Sequence, residues 1–323
     1  MTAWKETVGG RRALTILRSR PFLTVAIVAG VWIAASFTSR GFGSYGHLRY
    51  LVELAAVIGL VAAGQTFVVI AGGIDLSVAA IVTVSAVSLP LLSWQADPTG
   101  LTAVLAVLAL TTTIGLVNGL GVALLRVHPM IMTLAMATFL QGLLIIIAGG
   151  SAVTAENPLV RWLGNARPAG IPAGVLLWVA VSVIVLAAMH ATSFGARLFA
   201  MGANPLAATL SGVPVASTTL AVYGISGFTS GLAGVLVLGM NGQGYVGIGD
   251  PYLLASIAAV VLGGTSILGG LGTYAGTIPG AILLVTITAL ITVVNASPGW
   301  RSILFGSLIL GLLLLSGREQ ARR

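Results

Sequence analysis

Apolar runs dominate the chain, and polar clusters punctuate them at intervals that fit a bilayer. The runs lie at Phe22 to about Phe37, then at roughly 52–71, 76–94, 101–125, 130–148, 171–190, 217–239, 252–263, 274–294 and 301–316. Polar, Gly and Pro clusters separate them at 39–50, Gly72-Gly73, 95–100, Arg126–Pro129, 149–170, 191–216, 240–251, 263–273 and 295–300. About 20 apolar residues form one spanning helix. The pattern predicts an all-α integral membrane protein of about ten transmembrane helices, some broken at Gly-rich turns. Residues 1–21 form a basic tail, 22–316 a single transmembrane domain with 191–216 as its longest cytoplasmic loop, and 317–323 a second tail. The first run is read as a spanning helix and not a signal peptide: it is long, no A-x-A-like site follows, and many more spans come after it.

Charge sets the expected orientation. An even number of spans places both termini on one side. Lys5, Arg11, Arg12, Arg18, Arg20, Arg126, Arg197, Arg318, Arg322 and Arg323 then share that side, against Arg40, Arg49, Arg161, Arg167 and Arg301 on the other. The bias predicts cytoplasmic termini and accounts for the net charge of +8 without nucleic acid, since the chain has no soluble domain to carry a basic face.

Composition then narrows the chemistry. Only 7% of the 323 residues are charged, against about 25% in soluble domains. Cysteine is absent, which excludes thiolate metal sites and cysteine nucleophiles. The three histidines show no ligand spacing, so no metal site, cofactor or catalytic residue is expected. Lys5 is the sole lysine. A glycine-rich phosphate loop of the Walker type needs a lysine directly after it, so ATP can enter only through a partner. The 43 glycines suit close helix packing and helix breaks that line a transport path.

Four stretches carry candidate chemistry. In Gly64–Ser77, Gln65 and Thr66 are polar groups inside a span, and Asp75 follows the Gly72-Gly73 break just ahead of Ser77. Asp75 is placed as a helix cap. As an ionisable group at membrane depth it is also a pathway or gate candidate, or a contact to a partner subunit. Gln65, Thr66, Ser77 and Asn118 are the other pathway or gate candidates, with Asn118 also placed to hydrogen-bond across helices. In the second stretch, Arg126 suits a cytoplasmic helix end and Pro129 a first helical turn. In 191–216, Asn204-Pro205 reads as an N-cap and first position, and Leu206 to Ser211 as a short helix that Gly212 stops. Leu206 and Leu210 make it apolar, which points to docking on another protein or to rest on lipid headgroups. The fourth, Ser256–Leu262 with Gly263-Gly264 and Gly269-Gly270, reads as a span ending in a packing or gating turn. Gly72-Gly73 and Gly263-Gly264 hint at an internal repeat.

Together these stretches resemble the permease subunits of ribose-type ABC sugar importers. The residues that carry the likeness are Gly72-Gly73-Ile74-Asp75-Leu76-Ser77; Asn118-Gly119; Pro129 with Thr133-Leu134; Gly202, Asn204-Pro205, Ala207-Ala208 and Ser211-Gly212; and Ile257 through Val261 with Gly263–Ser266, Gly269-Gly270 and Gly272. Their order covers about residues 50–315. The resemblance implies a dimer of permeases around one pathway. It also implies an ATP-binding subunit with two nucleotide-binding halves in one chain, and an extracytoplasmic solute-binding protein that delivers a monosaccharide. Loop 191–216 is then the coupling segment, with Arg197, Asn204, Pro205, Leu206, Leu210, Ser211 and Gly212 as the residues facing the ATPase. Ala79 stands where the family favours glycine, Leu206 and Thr209 where acidic and basic residues are common, and Ala255 where an acidic residue is frequent. These departures leave homodimer and heterodimer both open. A branched-chain amino acid permease is the alternative within the class. An ion-coupled transporter wants ionisable relays inside its spans, and a membrane enzyme wants clustered His, Asp or Glu. Apart from Asp75 and Glu53, near span ends, the spans carry almost none.

Overall fold

A computed structural model describes residues 20–38, 41–92, 97, 99–293, 297 and 299–320. The basic stretch 1–19, Arg40 and the last three residues lie outside them. Each apolar run carries a helix: α1 Arg20–Thr38, α2 Tyr45–Ile70, α3 Val78–Leu92, α4 Leu101–Ala123, α5 Pro129–Ala148, α7 Ala173–His190, α10 Val215–Asn241, α11 Pro251–Leu262, α12 Tyr274–Val293 and α13 Gly299–Gln320. Among the described residues, six of them (α2, α4, α5, α7, α10 and α12) are long and apolar enough to cross a membrane. Helices α3 (Val78–Leu92) and α11 (Pro251–Leu262) are shorter, because Gly72-Gly73 and the polar turn 242–250 cut the chain close to them. The expectation was about ten transmembrane helices, some broken at Gly-rich turns; the six long helices and the shorter apolar ones agree with an all-α membrane protein.

The long loops are more ordered than their composition implies. Segment 149–170 contains strand β1 (Val153–Thr154), helix α6 (Pro158–Asn165) and a 3₁₀ turn at Pro168–Gly170. Strand β1 pairs antiparallel with β2 (Gln243–Gly244). Asn157 starts α6 by accepting from Val160 N and donates from Nδ2 to Gly100 O at 2.9 Å, and Asn165 reaches Gly239 O. The segment therefore straps the end of the bundle where α4 begins and α10 stops. At the opposite end, 191–216 forms α8 (Ser193–Ala203) and α9 (Pro205–Leu210). The short helix from Leu206 was anticipated; α8 was not, because its glycines and small residues mask the helical period.

Helix α2 is the axis of the fold. Every residue from Ala55 to Ile70 is buried, against α7, α10, α11 and α12. Helix α10 packs along α4, α2 and α3. Its approach to α4 is set by small residues: a Cβ on Gly115 would lie 2.2 Å from Tyr223 O, and one on Gly227 2.3 Å from Thr111 O. Such contact replaces the hydrophobic drive that lipid removes. Helix α5 lies on the outside and buries only Thr133, Ala137, Leu140 and Leu144, a single stripe of one helix face.

The two Gly-Gly breaks share one geometry. After α2, Ala71 N, Gly72 N and Gly73 N donate to Phe67 O, Val69 O and Val68 O; after α11, Gly263 N, Gly264 N and Thr265 N donate to Ala259 O, Val261 O and Val260 O. Gly72 and Gly264 occupy the same left-handed conformation, with φ of 86° and 89°. The hinted repeat is thus a repeated helix stop, and only the first stop leads into a carboxylate.

A buried aromatic relay fixes α7 and α12 to α2. Trp178 Nε1 donates to Tyr274 Oη at 2.8 Å, and Tyr274 Oη donates to Gly59 O at 2.8 Å. Gly59 leaves room for the indole, since a Cβ there would lie 2.2 Å from Trp178 Nε1. Tyr274→Phe leaves the indole N–H without its acceptor, and a lost buried partner costs about 1–3 kcal/mol. A lower thermal midpoint of the detergent-purified chain, at an unchanged gel-filtration profile, is the expected result.

Candidate functional site

The break between α2 and α3 delivers Asp75 into the protein interior, fully buried. Its Oδ1 accepts from Ser77 N at 2.9 Å and Ser77 Oγ at 2.6 Å, and its Oδ2 accepts from Ser226 Oγ on α10 at 2.7 Å. Ser77 Oγ in turn accepts from Asn118 Nδ2 on α4 at 2.8 Å, and Ser77 O receives Ile81 N to open α3. Next to it, Leu76 N donates to Thr133 Oγ1 on α5 at 3.0 Å. Tyr223 of α10 closes the group: a Cβ on Gly73 would lie 2.7 Å from its hydroxyl. No cation pairs with Asp75 among the described residues. Hydroxyl and backbone N–H donors from the break itself and from α10 hold the carboxylate instead, which is what a buried acid requires. The arrangement therefore does two things at once. It starts α3, and it ties the break to α10, α4 and α5.

The structure gathers Asp75, Ser77 and Asn118 and leaves the other two pathway candidates apart. Thr66 Oγ1 donates to Ala62 O and lies 3.2 Å from Thr277 Oγ1 of α12. Gln65 is fully buried, and its amide has no partner among the described residues. Ser226 and Tyr223 were missed in the sequence. A usable signal was present: Gly224, Ser226, Gly227, Thr229, Ser230 and Gly231 form a polar, small-residue tract inside an apolar span, the composition of a helix that hydrogen-bonds its neighbours.

The 191–216 segment is built by caps. Thr192 accepts from Gly195 N to start α8. Asn204 ends α8 and starts α9, its Oδ1 accepting from Ala207 N at 3.0 Å, with Pro205 in the first turn. Ser211 N and Val213 N fold back onto Ala207 O and Ala208 O, and Gly212 takes the left-handed turn at φ 80°. Leu206 is 71% and Leu210 81% exposed, one turn apart on one face of α9, and Arg197 is exposed on α8. The segment has one tight seat. A Cβ on Gly202 would lie 1.8 Å from Ile70 O and 2.7 Å from Gly270 N, and Gly270 N itself donates to Ile70 O at 2.9 Å. Phe194 packs on Phe67 with ring centroids 5.8 Å apart.

These two regions are mechanically continuous. Helix α8 sits on the last carbonyl of α2. The chain runs five residues from Ile70 to Asp75, Asp75 binds Ser226 of α10, and α10 follows α9 after the short turn 211–214. The chain and its contacts therefore connect α8–α9 to the break through both α2 and α10.

Comparison with known proteins decides what such a molecule is. The family described as branched-chain amino acid transport system / permease component matches residues 48–313. The ribose import permease of Escherichia coli K12 is 32% identical over 98% of this chain and 99% of its own length. The ribose import permease of Bacillus subtilis 168 is 32% identical over 93% of each chain. The L-arabinose transport system permease of Escherichia coli K12 is 32% identical over 92% of this chain and 90% of its own. The chain belongs to the ribose-type ABC importer permeases. As such a permease it is a multi-pass protein of the bacterial inner membrane, and a transport subunit rather than an enzyme. ATP hydrolysis belongs to a partner subunit.

Proposed function

We propose that this permease pairs with a second permease, the same or different, to form the membrane pathway through which an ATP-driven importer moves a monosaccharide into the cell. Both termini and the α8–α9 segment face the cytoplasm in this reading. The observation that carries it is α9: a capped helix that presents Leu206 and Leu210 outward while α8 is seated on the end of α2. An exposed apolar pair on a rigid mount fits a groove on another protein. The ATP-binding subunit, with two nucleotide-binding halves in one chain, takes α9 there. An extracytoplasmic solute-binding protein presents the sugar at the end strapped by 149–170. Closure of the ATPase moves α8–α9, and the Asp75 cluster passes that motion to α3, α4 and α10. Each state of the pathway is then favoured by different contacts, as alternating access requires. The names of the three relatives support a pentose or similar sugar over a branched-chain amino acid.

The absence of native cysteine makes the test clean. Leu206→Cys, Leu210→Cys and Thr209→Cys are each labelled with a short photocrosslinker in native membranes. The first two capture a protein with two nucleotide-binding halves, while Thr209→Cys, on another face of α9, captures far less. Equal capture at all three positions, or no ATP-binding partner at any, contradicts the assignment.

A further inference from the structure

A second feature lies beside α9 and is not used by the transport reading. A cleft of about 790 Å³ opens between the foot of α4 and the start of α10, lined among others by Val122, Ala123, Arg126, Pro205, Thr209 and Ser217. Among the described residues, Arg126 is its sole charged lining residue and no acidic side chain lines it. The guanidinium is exposed and has no hydrogen bond or ion pair to any described residue. Its backbone is also unusual: φ is +56°, in a region that residues with a Cβ rarely occupy. The turn at Leu124–Val127 closes with Val127 N on Gly121 O, and glycine is the residue that fits such a position. An arginine there puts a charge at the rim of the cleft against local backbone preference.

The surroundings identify the occupant. Leu124 and Leu125, just before Arg126, are 61% and 75% exposed. The rest of α4 shows exposed Leu105, Leu116 and Leu120, so the rim runs directly into an exposed apolar flank of a helix long enough to cross a membrane. The cleft is also separate from the α9 docking pair, because Pro205 and Thr209 line it while Leu206 and Leu210 do not. A basic pocket between helices at a membrane face takes the headgroup of an acidic lipid. We propose that this cleft holds one anionic phospholipid, with Arg126 as the counter-charge of its phosphate and the acyl chains along α4. This inference needs only the membrane setting and stands whether or not the transport reading holds.

The purified full-length chain is incubated with equal amounts of phosphatidylglycerol and phosphatidylcholine of identical acyl chains, and bound lipid is counted by native mass spectrometry. One basic side chain at a membrane surface corresponds to about a fivefold preference for the anionic lipid. The wild-type chain and Arg126→Lys show that preference in the most tightly held lipid. Arg126→Gln and Arg126→Gly lose it. Arg126→Gly relieves the left-handed backbone, so its thermal midpoint is equal to or above wild type, and lost lipid binding in that variant is not misfolding. The inference is overturned if wild type holds both lipids equally, or if the preference survives in Arg126→Gln and Arg126→Gly. It is overturned too if the same variants, purified with their associated proteins from native membranes, keep the lipid preference and instead shed the ATP-binding subunit, which assigns the cleft to an acidic surface of that protein.

Discussion

Replacing Gly202 by valine abolishes sugar uptake while the chain still reaches the membrane. The seat of α8 explains why. A Cβ at position 202 falls 1.8 Å from Ile70 O and 2.7 Å from Gly270 N. Both are backbone atoms, and they are hydrogen-bonded to each other. Neither can rotate aside as a side chain would. Overpacking of this kind costs about 3 kcal/mol, roughly a hundredfold in the population of the seated segment. Even Gly202→Ala is severe, because alanine already carries the offending atom. Gly142→Ala on the outer helix α5 is the control: a Cβ there meets nothing within 4 Å, and uptake stays at the wild-type level. Uptake of labelled sugar, normalised to membrane-inserted protein, separates the variants. Normal uptake by Gly202→Val removes the seat from the account.

Substitutions at the Asp75 cluster have the second largest effect, and they are graded. Asp75→Ala strips the acceptor from Ser77 N, Ser77 Oγ and Ser226 Oγ together. Each unmet buried donor costs about 1–3 kcal/mol, so this variant is expected to fold poorly. Asp75→Asn keeps an oxygen toward Ser77 and turns an amide toward Ser226, whose hydroxyl can accept as well as donate. It folds and retains most transport. Ser226→Ala is the informative change. It removes the tie to α10 and leaves the start of α3 intact. In the reconstituted complex, sugar-stimulated ATP hydrolysis persists while transport per ATP falls about tenfold, a coupling loss of about 1.4 kcal/mol. A cluster that only caps α3 gives equal ratios in Ser226→Ala and wild type.

Much of this was legible in the sequence because a bilayer enforces simple rules. Apolar runs of spanning length announced every main helix, and Asn204-Pro205 with Gly212 announced both ends of α9. Those signals are local, as caps and hydropathy are. The partners of Asp75 were less visible. Ser226 lies 151 positions away in sequence, and only packing brings α10 to the break. Helix α8 was hidden for a different reason. Its contact with α2 runs through backbone at Gly202, and a backbone contact leaves no polar residue to notice. The cleft at Arg126 was equally silent: the sequence shows a basic residue at a helix end, and only the fold shows the space beside it and the left-handed turn that holds it there. The short helices α3 and α11 fall where the apolar runs at 76–94 and 252–263 place them, and α3 starts two residues later than its run because Asp75 and Ser77 form its entry.

This chain is proposed as a pathway driven by a partner's ATP. The most direct measurement is uptake of labelled ribose, arabinose or galactose into liposomes. They carry the chain purified from native membranes with its associated proteins, and the solute-binding protein is supplied outside and nucleotide inside. Accumulation then needs internal ATP, stops with a non-hydrolysable analogue and is unaffected by collapse of proton and sodium gradients. Accumulation by the chain alone, without ATP and driven by an ion gradient, contradicts it.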